Sequence, residues 1–205
     1  MTPVELREAY RKRFEQFLTP MASSIEKHLR DLLEGYPRID RIMTRAKRVE
    51  SFVQKAQAAQ KDGCPKYLDP LAEIQDQIGA RIVTYYLRDT ASIGEVLLKY
   101  LAPIEAKDLN PGSSSAFGYE GKHYIFLIPV DLLTPPLDKI EPNVFELQVK
   151  TVFQHAWGEA DHDLAYKRAL PLTYEQEKLI AYGAAQAWGA DRIFDELSKD
   201  LIKFN

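Results

Sequence analysis

The chain has 205 residues, of which 45% are hydrophobic and 28% are charged, and its formal net charge at pH 7 is −3. These values are ordinary for a soluble globular protein with a well-filled core, and they argue against a protein that coats nucleic acid over its whole surface. The one cysteine, Cys64, excludes a disulfide within the chain and a metal site built from cysteines, and it fits a reducing compartment.

The hydrophobic segments are too short for a membrane protein. No stretch approaches the roughly 18 consecutive apolar residues of a transmembrane helix, and the first residues, MTPVELREAYRKRF, are charged where a secretory signal is apolar. We therefore expect a cytoplasmic protein. No internal repeat or linker divides the chain, so we expect a single domain over residues 1–205, with N-terminal helices at 1–36, a sheet-and-helix core at 37–168 and a C-terminal helix at 173–203.

Two helices are predicted at the N-terminus. Thr2 is a good helix cap, Pro3 suits the first helical position, and Glu5 can reach back to complete a capping box. Pro20 is expected to break or restart this helix, and the second helix should stop at Gly35.

Four stretches rich in apolar, β-branched or aromatic residues predict strands in the middle of the chain. The best is ARIVTYYL at residues 80–87, whose continuous apolar character is typical of a central strand. The others lie at residues 38–49, 102–107 and 123–130. Helices are predicted at residues 50–60, after Asp69-Pro70, and from a cap at Thr90 or Ser92 to about Leu101.

The stretch VFELQVKTVFQHAWGEADHDLAYKR, residues 144–168, predicts a fifth strand that leads directly into a helix. Up to Lys150 apolar and polar residues alternate, so one face of the strand carries Glu146, Gln148 and Lys150. From Thr151 the period is helical, and one side of that helix carries His155, Glu159, His162 and Tyr166. The alternative to a functional site here is a solvated sheet face followed by an ordinary amphipathic helix.

Thr173 is predicted to cap a long last helix. Its apolar stripe runs through Leu179, Tyr182, Ala190, Ile193 and Leu197. Strands alternate with helices along the chain, so the fold class is α/β or α+β, with a mixed sheet of about five strands and helices packed on it.

A basic cluster lies where the first strand meets the next helix, and its members are Arg45, Lys47, Arg48, Ser51 and Lys55. Backbone N–H groups and the dipole at a helix N-terminus favour an anion there. The cluster is therefore a candidate cradle for a polyphosphate, with lysine as a point charge and arginine as a fork. The alternative is a charged face that is simply solvated.

Asp76, Gly79 and Arg81 lie at the start of the central strand. A carboxylate at this point can project into a cleft at the sheet edge, and Gly79 would allow a tight backbone turn into the strand. Because Mg²⁺ is usually held by one or two carboxylates together with phosphates and water, Asp76 is a candidate ligand of Mg²⁺. The alternative is that Asp76 caps a backbone group or pairs with Arg81.

Two further groups carry candidate chemistry. Gly118 and Tyr119 follow a Ser-rich loop, and an aromatic residue there suits stacking on a base, although a core tyrosine is the commoner role. Glu146, with Lys150 nearby to keep it ionised, can accept a proton from a hydroxyl nucleophile, or the two can form an ordinary ion pair. The His155, Glu159 and His162 stripe lacks the tight spacing of a metal-binding helix, so we expect it to support the strand.

These groups, in this order, resemble the synthetase domain of the RelA/SpoT family, the alarmone (ppGpp) synthetases. The resemblance runs from about Arg41 to Lys167, through the motifs RAKRVESFVQK, DQIGARIV, GYEGKHY and ELQVKT…HAWGEADHDLAYK. It implies an α+β fold related to the nucleotidyltransferases, a mixed five-stranded sheet flanked by helices. It also implies a pyrophosphokinase that moves the β,γ-pyrophosphate of ATP to the 3′-hydroxyl of a nucleotide, by family default GTP or GDP, to make (p)ppGpp.

Position by position, the resemblance implies that Asp76 and Glu146 are catalytic and hold Mg²⁺, with Glu146 polarising or deprotonating the 3′-hydroxyl. For ATP binding it implies Arg45, Lys47, Ser51, Lys55 and Arg81, with Arg45 near the adenine. For acceptor binding it implies Tyr119, His123, Gln148, Lys150 and His155, with Tyr119 stacked on the acceptor base. Lys167 would line or brace the site.

The departures from the family pattern fall on the acceptor side. Lys150 stands where the family commonly has arginine, so a bidentate fork is replaced by a point charge. Tyr119 is followed by Glu-Gly-Lys rather than Arg-Ser-Leu or Gln-Ser-Leu, and the nearest upstream lysine is Lys107. The acceptor therefore stays open between a guanine nucleotide and the adenine nucleotides or tRNA 3′ end modified by toxic members. A non-catalytic nucleotide-binding module and a homo-oligomer also stay open.

Overall fold

The structure, a computed structural model, describes residues 1–60, 63–109, 116–118, 121–135, 137, 141–167 and 171–202, with the backbone alone at 165–167. The helices in these ranges are α1 (Pro3–Arg13), α2 (Thr19–Leu32), α3 (Val49–Ala56), α4 (Pro70–Glu73), α5 (Leu87–Tyr100), α6 (Val152–Lys167) and α7 (Tyr174–Leu201). Within the described ranges no helix combines the length and the apolar character needed to cross a membrane.

The described strands form one mixed sheet, as predicted. They are β1 (Ile39–Ala46), β2 (Ile78–Thr84), β3 (Pro103–Leu109), β4 (Gly121–Leu127) and β5 (Val144–Thr151). Their order across the sheet is β1-β2-β5-β4-β3, and β2 and β5 run parallel while the other neighbours run antiparallel. The parallel pair lies at the centre of the sheet, where β2 buries Ile78, Ala80, Ile82 and Val83, and this position explains its mostly apolar character.

The strand registers collect polar residues on one face of the sheet. One cross-strand row contains Met43, Arg81, Gln148 and His123. The neighbouring row contains Arg45, Gly79 and Glu146. Because side chains alternate along a strand, these two rows share the same face. Residues far apart in the chain therefore meet on a single polar surface.

The opposite face of the sheet is apolar and is covered by α2 and α5. The sheet contributes Ile42, Ile78, Ile82, Tyr124, Phe126, Phe145 and Leu147 to this core, and the two helices contribute Met21, Ile25, Leu29, Ile93 and Leu97. Gly94 of α5 meets the Tyr124 side chain so closely that a Cβ there would lie 2.6 Å from the hydroxyl oxygen. The core thus fixes the sheet from behind and leaves its polar face to α3 and α6.

The predicted helix starts at Thr2 and Thr173 are confirmed. Thr2 accepts a hydrogen bond from the backbone N–H of Glu5, whose carboxylate accepts one in return, and Thr173 forms the same capping box with Gln176. Pro20 restarts the helix rather than breaking it, because a π-helical turn joins α1 to α2 and Pro20 lies in the first turn of α2, where proline is tolerated.

The predicted start of α5 at Thr90 or Ser92 was wrong, since the helix begins at Leu87. Asp195 of α7 accepts a hydrogen bond from the backbone N–H of Arg88 at 3.0 Å, so a distant carboxylate satisfies the first turn. Thr90 instead donates its hydroxyl to the carbonyl of Leu87 inside that turn.

The last helix does not bury the apolar stripe that its sequence suggests. It packs through Ala184, Asp191 and Ser198, which recur every seven residues, while Leu179 and Tyr182 are 67% and 62% exposed. Asp191 is buried against the end of β5, where its Oδ2 accepts a hydrogen bond of 2.8 Å from the hydroxyl of Thr151. A polar contact therefore docks α7 onto the strand that carries Glu146.

Candidate active site

The polar face of the sheet opens into a cavity of about 1420 Å³ bounded by β1, β2, β5, α3 and α6. Its wall includes most of the residues predicted from the sequence: Arg45, Lys47, Ser51, Lys55, Asp76, Arg81, Glu146, Gln148 and His155. The cavity exceeds the roughly 300–1,000 Å³ of ordinary small-molecule sites, so it has room for more than one nucleotide.

The turn that presents the basic cluster is held from two directions at Lys47. The backbone N–H of Lys47 donates to the carbonyl of Gln77 at 2.8 Å, and its carbonyl accepts from the hydroxyl of Tyr10 at 2.9 Å. Tyr10 belongs to α1, is fully buried, and stacks on Phe52 of α3 with ring centroids 3.7 Å apart. The N-terminal helix therefore supports the site, a role that its local sequence does not reveal.

Asp76 is bound by two lysines of the basic cluster. The side-chain nitrogens of Lys47 and Lys55 each lie 2.8 Å from its Oδ2. Burial raises the pKa of Asp76, but the hydrogen bonds and charges of the two lysines outweigh it, and the pKa lies below its ordinary value. Asp76 is therefore ionised at neutral pH, and its partners are these lysines instead of Arg81.

The other oxygen of Asp76 fits a metal ligand. Oδ1 is buried and has no hydrogen-bond partner within the described ranges, and leaving such an oxygen unpaired costs free energy. Asp76 and Glu146 both line the cavity, and carboxylate oxygen is the donor that Mg²⁺ prefers. Since the described residues contain no group of three or more His, Cys, Asp or Glu side chains arranged to hold a metal, Mg²⁺ here would take most of its ligands from phosphates and water.

Glu146 is oriented by its neighbours on the sheet. The amide nitrogen of Gln148 donates to Oε1 of Glu146 at 2.6 Å, and Nδ1 of His123 lies 3.5 Å from the same oxygen. Burial lowers the pKa of His123 despite the opposing charge of Glu146. The carbonyl oxygen of the Gln148 side chain is buried without a partner among the described residues, so it can accept a hydrogen bond from a substrate.

Arg81 connects the sheet to α6. Its Nη1 lies 3.0 Å from Nδ1 of His155 and 2.6 Å from a carboxylate oxygen of Glu159. Because a guanidinium only donates, Nδ1 of His155 is the accepting nitrogen, and the neutral ring carries its proton on Nε2. Burial and then the charge of Arg81 lower the pKa of His155, in agreement with the neutral form. His155 and Glu159 thus orient Arg81.

Two predicted acceptor residues, Lys150 and His123, are not part of the described cavity wall. Lys150 lies beside it, is 3% exposed, and has a pKa lowered to about 8 by burial and by the nearby charge of Arg81. His123 also lies beside the wall, next to Glu146. Tyr119 lies outside the described residues, as does the side chain of Lys167. The acceptor roles of these residues stay predictions.

On the cavity wall, the tight-turn role predicted for Gly79 was wrong, and Arg41 was not predicted. Gly79 is the second residue of β2 rather than part of a tight turn, and a Cβ there would meet no atom within 4 Å. It keeps open the space between Arg45 and Glu146, its neighbours in the cross-strand row. Arg41 lies on the wall four residues before Arg45. The even spacing of the two arginines in a strand was the available signal for it.

Comparison with known proteins gives a consistent result at the level of sequence. A family model described as "Region found in RelA / SpoT proteins" matches residues 44–170. The curated GTP pyrophosphokinase YjbM of Bacillus subtilis (strain 168) is 26% identical over 200 residues, which cover 92% of this chain and 88% of that protein. GTP pyrophosphokinase YwaC of the same organism is 27% identical over 140 residues, which cover 67% of this chain and 63% of that protein.

Solved structures are similar in fold. The small alarmone synthetase 1 of Bacillus subtilis, bound to its product pppGpp, superposes with a TM-score of 0.72 at 22% identity, over 94% of this chain and 100% of that one. A GTP pyrophosphokinase family protein of Streptococcus pneumoniae superposes with a TM-score of 0.74 at 20% identity, over 95% and 93% of the two chains. The likeness agrees with the predicted mixed sheet flanked by helices.

Proposed function

Because this chain belongs to the RelA/SpoT family, we propose that it is an ATP-dependent nucleotide 3′-pyrophosphokinase. Its curated relatives are named GTP pyrophosphokinases, and one similar structure holds the product pppGpp. We propose GTP or GDP as the acceptor and (p)ppGpp as the product. The proposal assigns residues 1–205 to one synthetase domain.

The observation that carries the proposal is the meeting of Asp76, Glu146 and the basic cluster on one cavity wall. A module that only binds nucleotides benefits from the cations but not from two carboxylates, which repel phosphates. A phosphoryl-type transfer needs cations and carboxylates together. The cations position the donor, while the carboxylates bind a metal ion and accept a proton. The large cavity also suits a reaction between two nucleotides.

We assign the cations of the cavity wall to different parts of ATP according to their positions. Lys47, Ser51 and Lys55 bind the triphosphate of ATP at the N-terminus of α3, where the backbone also favours an anion. Arg45 lies on β1 beside them, on the side proposed for the adenine. Arg81, held by His155 and Glu159, adds a fixed guanidinium to the centre of the sheet face. These cations offset the charge that would otherwise repel the incoming oxygen.

Glu146 accepts the proton of the acceptor 3′-hydroxyl in the proposed reaction. The acceptor O3′ forms a bond to the β-phosphorus of ATP, the bond from that phosphorus to the α,β-bridging oxygen breaks, and AMP leaves with the electron pair. Gln148 restrains the Glu146 carboxylate by its 2.6 Å hydrogen bond, which limits the orientations of the proton acceptor.

Asp76 and Glu146 are the residues that would hold Mg²⁺. When bound, the ion supplies charge neutralisation on the phosphates. Asp76 suits the role because its pKa is lowered and its Oδ1 is buried without a protein partner in the described ranges.

The test is to incubate the protein with γ-labelled ATP, Mg²⁺ and one acceptor at a time from GTP, GDP, GMP, ATP and tRNA, and then to identify the labelled product. We expect the label on GTP or GDP. Label on an adenine nucleotide or on tRNA would contradict the proposed acceptor and support the acceptors used by toxic members of the family. Tight nucleotide binding with no transfer to any acceptor would replace the enzyme by a binding module.

A further inference from the structure

The segment that leads into β4 is anchored on the last helix. Phe117 meets Trp188 of α7 edge to face, with ring centroids 5.8 Å apart and planes inclined by 68°. The next residue, Gly118, lines a small cavity with Trp157 of α6 and with Ala184 and Trp188 of α7. Phe117 and Gly118 therefore lie at a groove between α6 and α7, which we call the Trp188 groove.

The groove is held in place by contacts on both of its sides. The indole N–H of Trp157 donates to the carbonyl of Ile180 at 3.3 Å, which ties α6 to α7. The guanidinium carbon of Arg192 lies 5.2 Å from the centre of the Trp188 ring, a cation–π contact that restrains the indole. One turn further along α7, Asp191 binds Thr151 at the end of β5. The groove is thus fixed relative to the strand that carries Glu146.

Phe117 belongs to the part of the chain that precedes β4, on one side of the reaction site. Its segment continues into β4, which begins at Gly121 and carries His123, the cross-strand partner of Gln148. In the sheet, β4 borders β5 on the side away from β2 and β1. The basic cluster proposed for ATP lies on that far side, at β1 and α3. Phe117 therefore stands on the β4 side of the site, and the lysines proposed for the triphosphate of ATP stand on the opposite side.

We propose that Trp188, through Phe117, is a positioning residue for the acceptor nucleotide. This inference rests on the proposed function. Trp188 holds Phe117 against α7, and Asp191 ties α7 to the strand of Glu146, so Phe117 has a defined place relative to Glu146. Neither residue touches the reacting atoms in this account. The family model ends at residue 170, so this role gives α7, which lies outside it, a part in acceptor recognition.

The first test compares Michaelis constants for the two substrates. In Trp188→Ala we expect the KM for the acceptor to rise about 3- to 10-fold, the change that an aromatic edge contact supports, while the KM for ATP stays at the wild-type value. Trp188→Phe should restore most of the loss. Tyr182→Ala is the matched control, since Tyr182 is an aromatic residue of the same helix that lies exposed, and it should leave both KM values unchanged.

The second test asks whether Phe117 and Trp188 act through one contact. If they do, Phe117→Ala should raise the acceptor KM by the same factor as Trp188→Ala, and the double variant should be no worse than either single variant. Multiplication of the two effects, an equal rise in the KM for ATP, or an unchanged acceptor KM in Trp188→Ala would overturn the inference. Because Trp188 is 40% exposed, the variants should fold, and their Tm values check this.

A binding measurement separates this inference from the proposed function. The chain has two tryptophans, so the difference in fluorescence between the wild type and Trp188→Phe reports on Trp188 and leaves Trp157 in place. We expect this difference to change on titration with GTP or GDP and to stay constant with a non-hydrolysable ATP analogue. A wild-type protein that transfers no pyrophosphate yet shows this response would lose the proposed function and keep the positioning role. Transfer to GTP with no fluorescence response would support the proposed function and contradict the positioning role of Trp188.

Discussion

The side-chain nitrogen of Lys55 lies 2.8 Å from Oδ2 of Asp76. A lysine proposed to bind phosphate thus neutralises the carboxylate proposed to bind Mg²⁺, and Lys47 makes a second contact of the same length. Two ammonium groups on one carboxylate compete with a metal cation for it. Phosphates relieve that competition because they attract the lysines and bring further oxygen ligands for the metal.

Metal affinity should therefore depend on the nucleotide. We expect the protein to bind Mn²⁺, used as a spectroscopic substitute for Mg²⁺, at least about tenfold more tightly with a non-hydrolysable ATP analogue than without it, a difference of about 1.4 kcal/mol. Titration of unbound Mn²⁺ by electron paramagnetic resonance, corrected for Mn²⁺ held by the analogue alone, measures it. Asp76→Ala is the control and should abolish the enhancement. Equal affinity in both conditions would contradict the lysine competition.

Gly79 should tolerate a side chain for folding but not for substrate binding. A Cβ there meets no atom within 4 Å, and the space it would enter lies between Arg45 and Glu146. We expect Gly79→Val to keep the wild-type Tm within a few degrees, since valine favours strands, and to weaken nucleotide binding at least about tenfold. Gly79→Ala should have a smaller effect. Calorimetric titration and thermal melting give the two quantities, and tight nucleotide binding by Gly79→Val would show that the gap is not part of the site.

The lowered pKa of Lys150 has a consequence for stability. Folding lowers this pKa to about 8, below the roughly 10.4 of an unfolded lysine, so between these values the unfolded chain binds more protons than the folded chain. The free energy of unfolding contributed by Lys150 therefore rises with pH over this window and is lost as the pH falls through 8.

The comparison variant is Lys150→Met, which is similar in length and carries no charge. Denaturant unfolding at pH 7.5, 8.5 and 9.5 should show the free energy of unfolding of the wild type rising relative to that of Lys150→Met. If the free energies of unfolding of the two proteins change in parallel with pH over this range, burial of the Lys150 ammonium does not destabilise the fold. Lys150→Arg, which stays charged throughout, should be less stable than the wild type at the highest pH.

Tyr10 should influence ATP binding although it lies outside the cavity. Its hydroxyl is the donor to the Lys47 carbonyl, and removing a donor to a partly buried carbonyl typically costs about 1 kcal/mol. We expect Tyr10→Phe to lower the free energy of unfolding by about that amount and to raise the KM for ATP a few-fold, with the acceptor KM unchanged. Tyr100→Phe alters an exposed tyrosine and should do neither. Identical unfolding curves for the two variants would dismiss the support assigned to Tyr10.

The features that could be predicted from the sequence are those that depend on neighbouring residues in the chain. Alternation from Val144 to Lys150 indicated a strand with one polar face, and the capping signals at Thr2 and Thr173 marked two helix starts that the structure contains. The order of the four motifs indicated the family. Most of the predicted site residues line one cavity because the sheet register aligns them across three strands.

What escaped prediction depends on contacts between distant parts of the chain. Asp195 accepts a hydrogen bond from the first turn of α5 and lies more than 100 residues away in the chain, so no local cap marked the start of that helix. Tyr10 lies in the first helix, far from the cluster in sequence, and only folding brings its hydroxyl to Lys47. The pairing of Asp76 with two lysines instead of Arg81 was likewise a choice among nearby cations that spacing alone does not decide.

The central claim is that Glu146 takes the proton of the acceptor hydroxyl, and Glu146→Gln tests it most directly. The substitution keeps the shape of the side chain and an oxygen for the Gln148 amide, but removes the basic group. With γ-labelled ATP, Mg²⁺ and GTP, we predict that turnover falls about 100- to 10,000-fold, the usual contribution of a general base, while the affinity for a non-hydrolysable ATP analogue and the Tm stay at wild-type values. Turnover close to that of the wild type would contradict the account.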